Sequence, residues 1–191
     1  DAAASARLAV GEALTNLAAA DVAELGQVKL SANWMAAAGE LGEDAALFDA
    51  VQAIGEGLCP ALGIAIPVGK DSLSMRTVWA EAEAAAEDDQ TQTVTAPLSA
   101  VISAFAPVGD ARRTWTPRLI GHETELATAL VLIDLARGRQ RLGGSALAQV
   151  YAQLGAAPPD VDDPQALLDL WRGLSCLREQ DLVLAYHDRA D

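Results

Sequence analysis

An α/β fold is the class that the sequence predicts, and three observations predict it. Apolar residues recur at helical spacing over residues 2–20 and again over residues 42–63. Residues 28–35 alternate apolar and polar side chains like a half-buried strand, and residues 64–69 form a short apolar strand. Because helices and strands follow one another in turn, mixed layers are favoured over an all-helical or an all-β chain.

The helix predicted over residues 42–63 has recognisable ends. Acidic side chains favour its start, and Pro60 and Gly63 are expected to end it. Two further strands are expected at residues 74–80 and 93–108. The acidic stretch 81–92 between them is typical of a solvated loop that keeps a protein soluble.

The regular spacing of apolar residues is lost after Val108, and this change predicts two domains. Residues 1–108 would belong to the first domain, residues 109–126 to a linker of little periodicity, and residues 127–191 to the second domain. Within the second domain we expect a buried strand, two helices and a strand that runs into a polar tip. These elements are predicted at residues 129–136, 142–155, 165–180 and 181–191, with Asp163 and Pro164 opening the second helix.

The composition and net charge of the chain argue against several classes of function. The formal charge is −14 and the isoelectric point about 4.4, which argues against a nucleic-acid-binding or anionic-membrane surface. No apolar run approaches the length that spans a membrane. Cys59 and Cys176 lack partners at zinc-ligand spacing, so a reduced cytoplasmic protein is expected.

Candidate ligands for a hard metal ion stand near both ends of the chain. Glu12 and Asn16 lie four residues apart on the first predicted helix, so their oxygen atoms share one face. Carboxylate and amide oxygens suit Mg²⁺, but two ligands make only half a site, and a plain polar helix face explains them as well. Asp188 could supply a third oxygen if the two domains face each other.

Two segments are candidates for phosphate binding. Lys70 follows an apolar strand in GKDSLSM (69–75), at a kind of sheet edge that hosts ligands in α/β proteins. The segment is not a P-loop, and an ordinary polar turn is the alternative. Gly144 and Ser145 open the predicted helix 142–155, where bare amides would suit a phosphate, although a glycine pair at a helix start is common.

Taken together, these pieces resemble the large single-chain form of phosphoribosylformylglycinamidine synthase. The resemblance rests on motifs that occur in the same order over nearly the whole chain, and LSANWM and IPVGKDSLSM are the most specific of them. The motifs are GEALTN, KLSANWM, GEDAALFDAV, LCPALGIAIPVGKDSLSM, LGGSALAQVYAQLG and HDRAD. The resemblance implies a piece of a longer enzyme: the end of an N-type and the start of a C-type aminoimidazole ribonucleotide synthetase-like domain, from the second synthetase half.

The resemblance also implies a ligand set. Glu12, Asn16 and Asp188 correspond to the family's Mg²⁺ ligands beside a bound nucleotide, ATP or ADP. Ala190 stands where the family usually has a serine near the nucleotide, so only its backbone would remain for contact. GELGED replaces the family's usual GHPGED, which puts any role of Glu40 in doubt.

The implied reaction is an ATP-dependent amidation in purine biosynthesis. The amide oxygen of formylglycinamide ribonucleotide is activated as a phosphate ester, and ammonia from glutamine displaces the phosphate. The partners implied are a nucleotide and the remaining domains of the parent chain, including a glutaminase domain. The second-half nucleotide site is expected to be auxiliary, so no catalytic residue is nominated.

Two other hypotheses remain open at this stage. The chain could be a structural interaction module that binds nothing by itself and completes its sheets with absent domains. It could also belong to a related enzyme of the same superfamily, of the selenophosphate synthetase or thiamine-phosphate kinase type. The motif LSANWM disfavours this last possibility.

Overall fold

The computed structural model describes residues 1–80, 91–120 and 127–189, and its fold is mixed α/β, as the sequence predicted. Among the described residues up to 105, one strand lies between the first and second helices and four strands follow the third helix; two further helices come later in the chain. The helices are α1 (Ala2–Leu17), α2 (Glu43–Gln52), α3 (Cys59–Leu62), α4 (Ala146–Val150) and α5 (Pro164–Glu179). The strands are β1 (Lys29–Met35), β2 (Ala65–Ser72), β3 (Arg76–Ala80), β4 (Thr91–Thr95) and β5 (Ser99–Phe105).

The strands form two small sheets. β1 lies in the centre of a three-stranded sheet, parallel to β2 and antiparallel to β5. β3 and β4 pair separately as an antiparallel ribbon. The carboxyl ends of β1 and β2 therefore meet at one edge, where Asn33 lies opposite Lys70. Gly69 is required next to this point, because a Cβ atom there would stand 2.1 Å from the carbonyl oxygen of Ala32.

α1 is central to the packing of the molecule. Its apolar face, with Val10 and Leu14 almost fully buried, packs with α2, β5 and the helical segment that follows α2. α5 joins this core through Leu167, Trp171 and Leu174. The same hydrophobic core thus includes residues from both predicted domains.

Local signals account for the ends of the long helices. Asp1 caps α1, since its carboxylate accepts a hydrogen bond from the Ala4 amide at 3.0 Å. Asp163 caps α5 by accepting from Gln165 at 3.0 Å, and Pro164 occupies the first turn. The predicted opening of this helix is confirmed.

Pro60 does not end the second predicted helix, which corrects the sequence-based expectation. After α2 the chain continues through a π-helical turn, Ala53–Leu58, and then α3, whose first turn includes Pro60. Proline is tolerated in a first helical turn because the missing N–H would have no partner there. Gly63, with a φ of 69°, ends the helix as expected.

The segments expected as strands in the second domain are not strands in the described part of the chain. Residues 129–136 and the described residues 181–189 form no strand, and residues 93–108 divide into β4 and β5 around Pro97. In the first segment, Leu130 is 87% and Val131 74% exposed. A buried strand needs neighbours that satisfy its backbone groups, and within the described residues this segment has none. The helix expected over 142–155 is limited to α4.

Candidate functional site

The two ligands predicted on α1 lie on its exposed side. Glu12 and Asn16 are one turn apart, and both side chains are exposed to solvent. Thr15 lies between them, and its hydroxyl donates to the carbonyl oxygen of Glu12 at 3.1 Å. Both oxygen-bearing side chains are therefore available to a ligand from outside the helix.

The segment before Asp188 docks on this same turn of α1. The hydroxyl of Tyr186 donates to the carbonyl oxygen of Thr15 at 2.8 Å, a contact between residues 171 positions apart. The amide of Tyr186 donates to the carbonyl oxygen of Thr116 at 3.0 Å. The chain that carries Asp188 is thus fastened to the helix that carries Glu12 and Asn16.

The Asp188 carboxylate is largely withdrawn from water. Its side chain is only 12% exposed, and Oδ1 lies 3.7 Å from Nδ1 of His187. That distance is beyond hydrogen-bond length, so the contact compensates little of the charge. Burial raises the pKa of Tyr186 to about 12, and the negative charge of Asp188 contributes in the same direction. Tyr186 is therefore neutral near pH 7, and a nearby cation would compensate the charge of the Asp188 carboxylate.

Three side chains surround the carboxyl end of α1, and we call Trp115, Arg178 and Tyr186 the collar. The guanidinium of Arg178 lies 3.5 Å from the centroid of the Trp115 ring, within the range of a cation–π contact. The rings of Trp115 and Tyr186 are 5.9 Å apart and tilted by 40°. The collar therefore connects α5, the linker and the segment before Asp188 in one continuous stack.

Arg178 also supplies hydrogen bonds to the end of α1. It donates to the carbonyl oxygens of Ala18 at 2.8 Å and Ala19 at 3.2 Å. A cation at this position complements the partial negative charge of a helix carboxyl end. Burial lowers the pKa of Arg178, and the charge of Asp21, 3.7 Å away, opposes that change.

The amino-terminal half of α1 is held by the turn before α5. Arg7 forms a bidentate pair with Asp160, at 2.7 and 2.6 Å. Gly11 faces Val161 so closely that an added Cβ atom would stand 2.9 Å from a valine methyl carbon. Both ends of the helix are consequently fixed by residues from the second half of the chain.

Lys70 lies at another edge of the fold. The segment GKDS continues β2 instead of forming a turn, and Lys70 Nζ donates to the hydroxyl of Ser72 at 2.8 Å. In the part of the chain that the structure describes, no hydrogen bond or ion pair joins Lys70 to Glu12, Asn16 or Asp188. Its ammonium group is exposed and can meet an anion without first breaking a buried contact.

The glycine-rich start of α4 has its amides occupied by the chain itself. Gly144 donates to the carbonyl oxygen of Leu154 at 2.7 Å, and Ser145 donates to that of Leu142 at 3.1 Å. The Ser145 hydroxyl caps α4 by accepting from Ala148 at 3.2 Å. The amides expected to be bare are thus engaged, and phosphate binding at Gly144 and Ser145 stays a prediction.

The donor set near α1 fits a hard divalent cation in its chemistry. Glu12 and Asp188 contribute carboxylates and Asn16 an amide oxygen, and each is an oxygen ligand of the type that Mg²⁺ prefers. Among the residues with described positions, no group of three or more His, Cys, Asp or Glu side chains could hold a metal ion. A site here would therefore depend on Asn16 as well as on the acids. Ala190 lies outside the described residues.

Sequence reasoning missed the residues that fasten this region. Arg178 carries a usable signal, since it continues the apolar spacing of Leu167, Trp171 and Leu174 on the inner face of α5. Trp115 lies in a stretch without periodicity, and no local pattern indicates its role. Tyr186 stands directly before the HDRAD motif, and no local pattern indicates its role either.

A comparison with known families gives a match to the first part of the chain. The family model described as the FGAR-AT PurM_N-like domain matches residues 1–107 of this chain. The matched range includes α1 with Glu12 and Asn16, and β2 with Lys70. Asp188, Gly144 and Ser145 lie beyond it.

Among the helices that the structure describes, none combines the length and the apolar character that crossing a membrane requires.

Proposed function

The chain belongs to the FGAR-AT PurM_N-like domain family, and we propose that it serves in an ATP-dependent carbon–nitrogen ligase of purine biosynthesis. The reaction converts formylglycinamide ribonucleotide and glutamine to formylglycinamidine ribonucleotide and glutamate, with ATP hydrolysed to ADP and phosphate. We infer that the parent protein is of the large single-chain type, works in the cytoplasm and includes a glutaminase domain that supplies ammonia.

The contribution of this chain would be part of a magnesium–nucleotide site. The observation that carries this proposal is the hydrogen bond between Tyr186 and the Thr15 carbonyl oxygen, which fastens the Asp188 segment to the helix of Glu12 and Asn16. Two segments that are 171 positions apart are joined by this bond, and a ligand bound by side chains of both segments would account for it. A shared ligand gives the arrangement a purpose.

In this proposal the residues bind and orient, and none acts as a catalyst. Glu12, Asn16 and Asp188 hold Mg²⁺, which when bound neutralises phosphate charge. Lys70 is exposed and suited to a phosphate oxygen, whereas Gly144 and Ser145 must first exchange their carbonyl partners. Ala190 would offer its backbone alone. An auxiliary site of this kind holds nucleotide for stability while turnover occurs elsewhere.

The test is binding of Mg–ADP to the full-length protein, measured by titration calorimetry. Glu12→Gln and Asp188→Asn each replace a charged oxygen ligand with a neutral amide of similar size. We expect each to weaken binding by at least about tenfold, since metal ligands rarely contribute less. Glu24→Gln, a change of the same type at an exposed site outside the proposed ligand set, is the matched control.

Three outcomes have clear meanings. Binding of Mg–ADP that neither Glu12→Gln nor Asp188→Asn weakens would contradict the proposed site. If the site is auxiliary, the variants lose bound nucleotide and thermal stability more than they lose turnover per surviving enzyme. A purely catalytic defect would instead assign the site to the reaction itself.

A structural interaction module is the second candidate function, and one observation favours it. Leu130, Val131 and Leu132 are between 67 and 87% exposed, which is unusual for consecutive apolar residues. Calorimetry of the 191-residue chain with Mg–ADP separates the alternatives. We expect no detectable binding by the chain alone, and measurable binding would show an autonomous site.

A further inference from the structure

The contact between Tyr186 and α1 assigns a role to a residue outside the proposed ligand set. Tyr186 lies two positions before Asp188, and its hydroxyl is bonded to the Thr15 carbonyl oxygen at 2.8 Å. Thr15 itself lies between Glu12 and Asn16 along the helix. One hydrogen bond therefore joins the two segments that carry the three proposed ligands.

We propose that Tyr186 is a positioning residue, which sets the distance between Asp188 and the α1 ligands through its hydroxyl. The inference rests on the proposed magnesium–nucleotide site and deepens it. Tyr186 is not a ligand in this proposal, since its hydroxyl is already committed to the Thr15 carbonyl oxygen.

The surroundings of Tyr186 limit its freedom in two further directions. Its amide donates to the carbonyl oxygen of Thr116 at 3.0 Å, which fixes the backbone. Its ring contacts the Trp115 ring, which in turn lies against the guanidinium of Arg178. These contacts hold the Tyr186 side chain in place. Its hydrogen bond to Thr15 can therefore fix the distance between the Asp188 segment and α1.

Asp188 has a specific need for such support. A carboxylate that is 12% exposed cannot adjust freely in solvent, and its distance from His187 leaves it without a strong protein partner there. Outer residues that orient metal ligands typically change metal affinity by one to two orders of magnitude. Loss of the Tyr186 hydroxyl should therefore weaken ion binding while the helix and its core remain folded.

The experiment uses the full-length protein with Mn²⁺ and ADP as probes. Mn²⁺ takes oxygen ligands as Mg²⁺ does and reports its bound state by electron paramagnetic resonance, so activity is not the readout. We expect Tyr186→Phe, which keeps the ring against Trp115, to weaken Mn–ADP binding about tenfold. Tyr151→Phe, at a tyrosine that is 69% exposed, is the matched control and should leave binding unchanged.

A double-mutant comparison distinguishes positioning from general stability. If Tyr186 acts through Asp188, then Tyr186→Phe should have no further effect on Mn–ADP binding in an Asp188→Asn background. Equal fold-changes in both backgrounds would overturn the proposal. Unfolding of Tyr186→Phe without ligand would also overturn it, because the hydroxyl would then be needed for the fold. Incorporation of 4-aminophenylalanine at position 186 restores a donor and should restore affinity.

The failure of this inference can be told from the failure of the proposed function. If Asp188→Asn weakens binding and Tyr186→Phe leaves it intact, the site stands and the positioning role falls. If Asp188→Asn itself leaves Mn–ADP binding unchanged, the proposed site is wrong and the positioning role falls with it.

Discussion

α1 and the segment 127–134 are both rich in apolar residues, yet the apolar residues of α1 are buried and those of the segment are exposed. Leu14 on α1 is 2% exposed and belongs to the core, whereas Leu130 is 87% exposed. α1 satisfies its own backbone hydrogen bonds, so it needs only apolar surfaces to pack against. A strand needs partner strands as well, and within the described residues the segment 127–134 finds none. Hydrophobicity alone therefore does not decide burial.

The largest expected effect is a direct test of this contrast with one substitution at two sites. Leu14→Ala should lower the free energy of unfolding by about 3 kcal/mol, because it removes buried methyl groups and leaves a cavity. Leu130→Ala should change it by less than about 0.5 kcal/mol, as for most exposed positions. Urea unfolding of both variants gives the comparison. A large loss for Leu130→Ala would show that the segment is buried in solution.

A smaller loss of stability is expected from a substitution in the collar, where the charged side chain of Arg178 is buried. Arg178 is 7% exposed and donates to the Ala18 and Arg113 carbonyl oxygens. Arg178→Gln would leave these acceptors without their donor, and we expect a loss of about 2 kcal/mol in the free energy of unfolding. The effect should persist in high salt, since buried groups are little screened.

The matched control for the collar lies on the same helix. Arg172 has a side chain that is 72% exposed and lies 3.5 Å from Asp169. Arg172→Gln should change the free energy of unfolding by less than about 0.5 kcal/mol, because exposed pairs contribute little. Equal losses from the two arginine variants would mean that the charge of α5, and not the contacts of Arg178, stabilises the fold.

The difference between the two regions also explains what the sequence could predict. α1, β1 and α5 follow from signals within each segment, such as apolar spacing and the Asp163 cap before Pro164. The absence of a strand at 127–134 depends on which partners are present, and no local pattern contains that information. Pro60 was misjudged for a similar reason, since proline is compatible with the first turn of a helix that follows a π-helical turn.

The candidate site also has one part that local sequence signals predict and one part that they do not. The shared face of Glu12 and Asn16 is a local consequence of helix geometry and was predicted from spacing. The approach of Asp188 came from a family resemblance, because contacts across 171 positions have no local signature. The structure adds the hydrogen bond between Tyr186, two positions before Asp188, and the Thr15 carbonyl oxygen. Whether the three side chains bind one ion stays a prediction.

The smallest expected effects come from two helical glycines, of which Gly11 is buried and Gly173 is exposed. Gly173 in α5 has no heavy atom within 4 Å of the place where a Cβ would stand. Gly173→Ala should therefore raise the free energy of unfolding by about 0.7 kcal/mol, since alanine is the better helix former. At Gly11 the same Cβ would stand 2.9 Å from a methyl carbon of Val161.

Gly11→Ala should forfeit that gain, because the valine must move and loosen its contact with α1. The discriminating background is Val161→Ala, which removes the obstructing methyl group. There Gly11→Ala should become stabilising by about the same amount as Gly173→Ala, as followed by thermal or urea unfolding. If Gly11→Ala raised the free energy of unfolding in the unaltered chain, Val161 would not be in close contact with α1 in solution. The packing around Gly11 would then be looser than the 2.9 Å distance indicates.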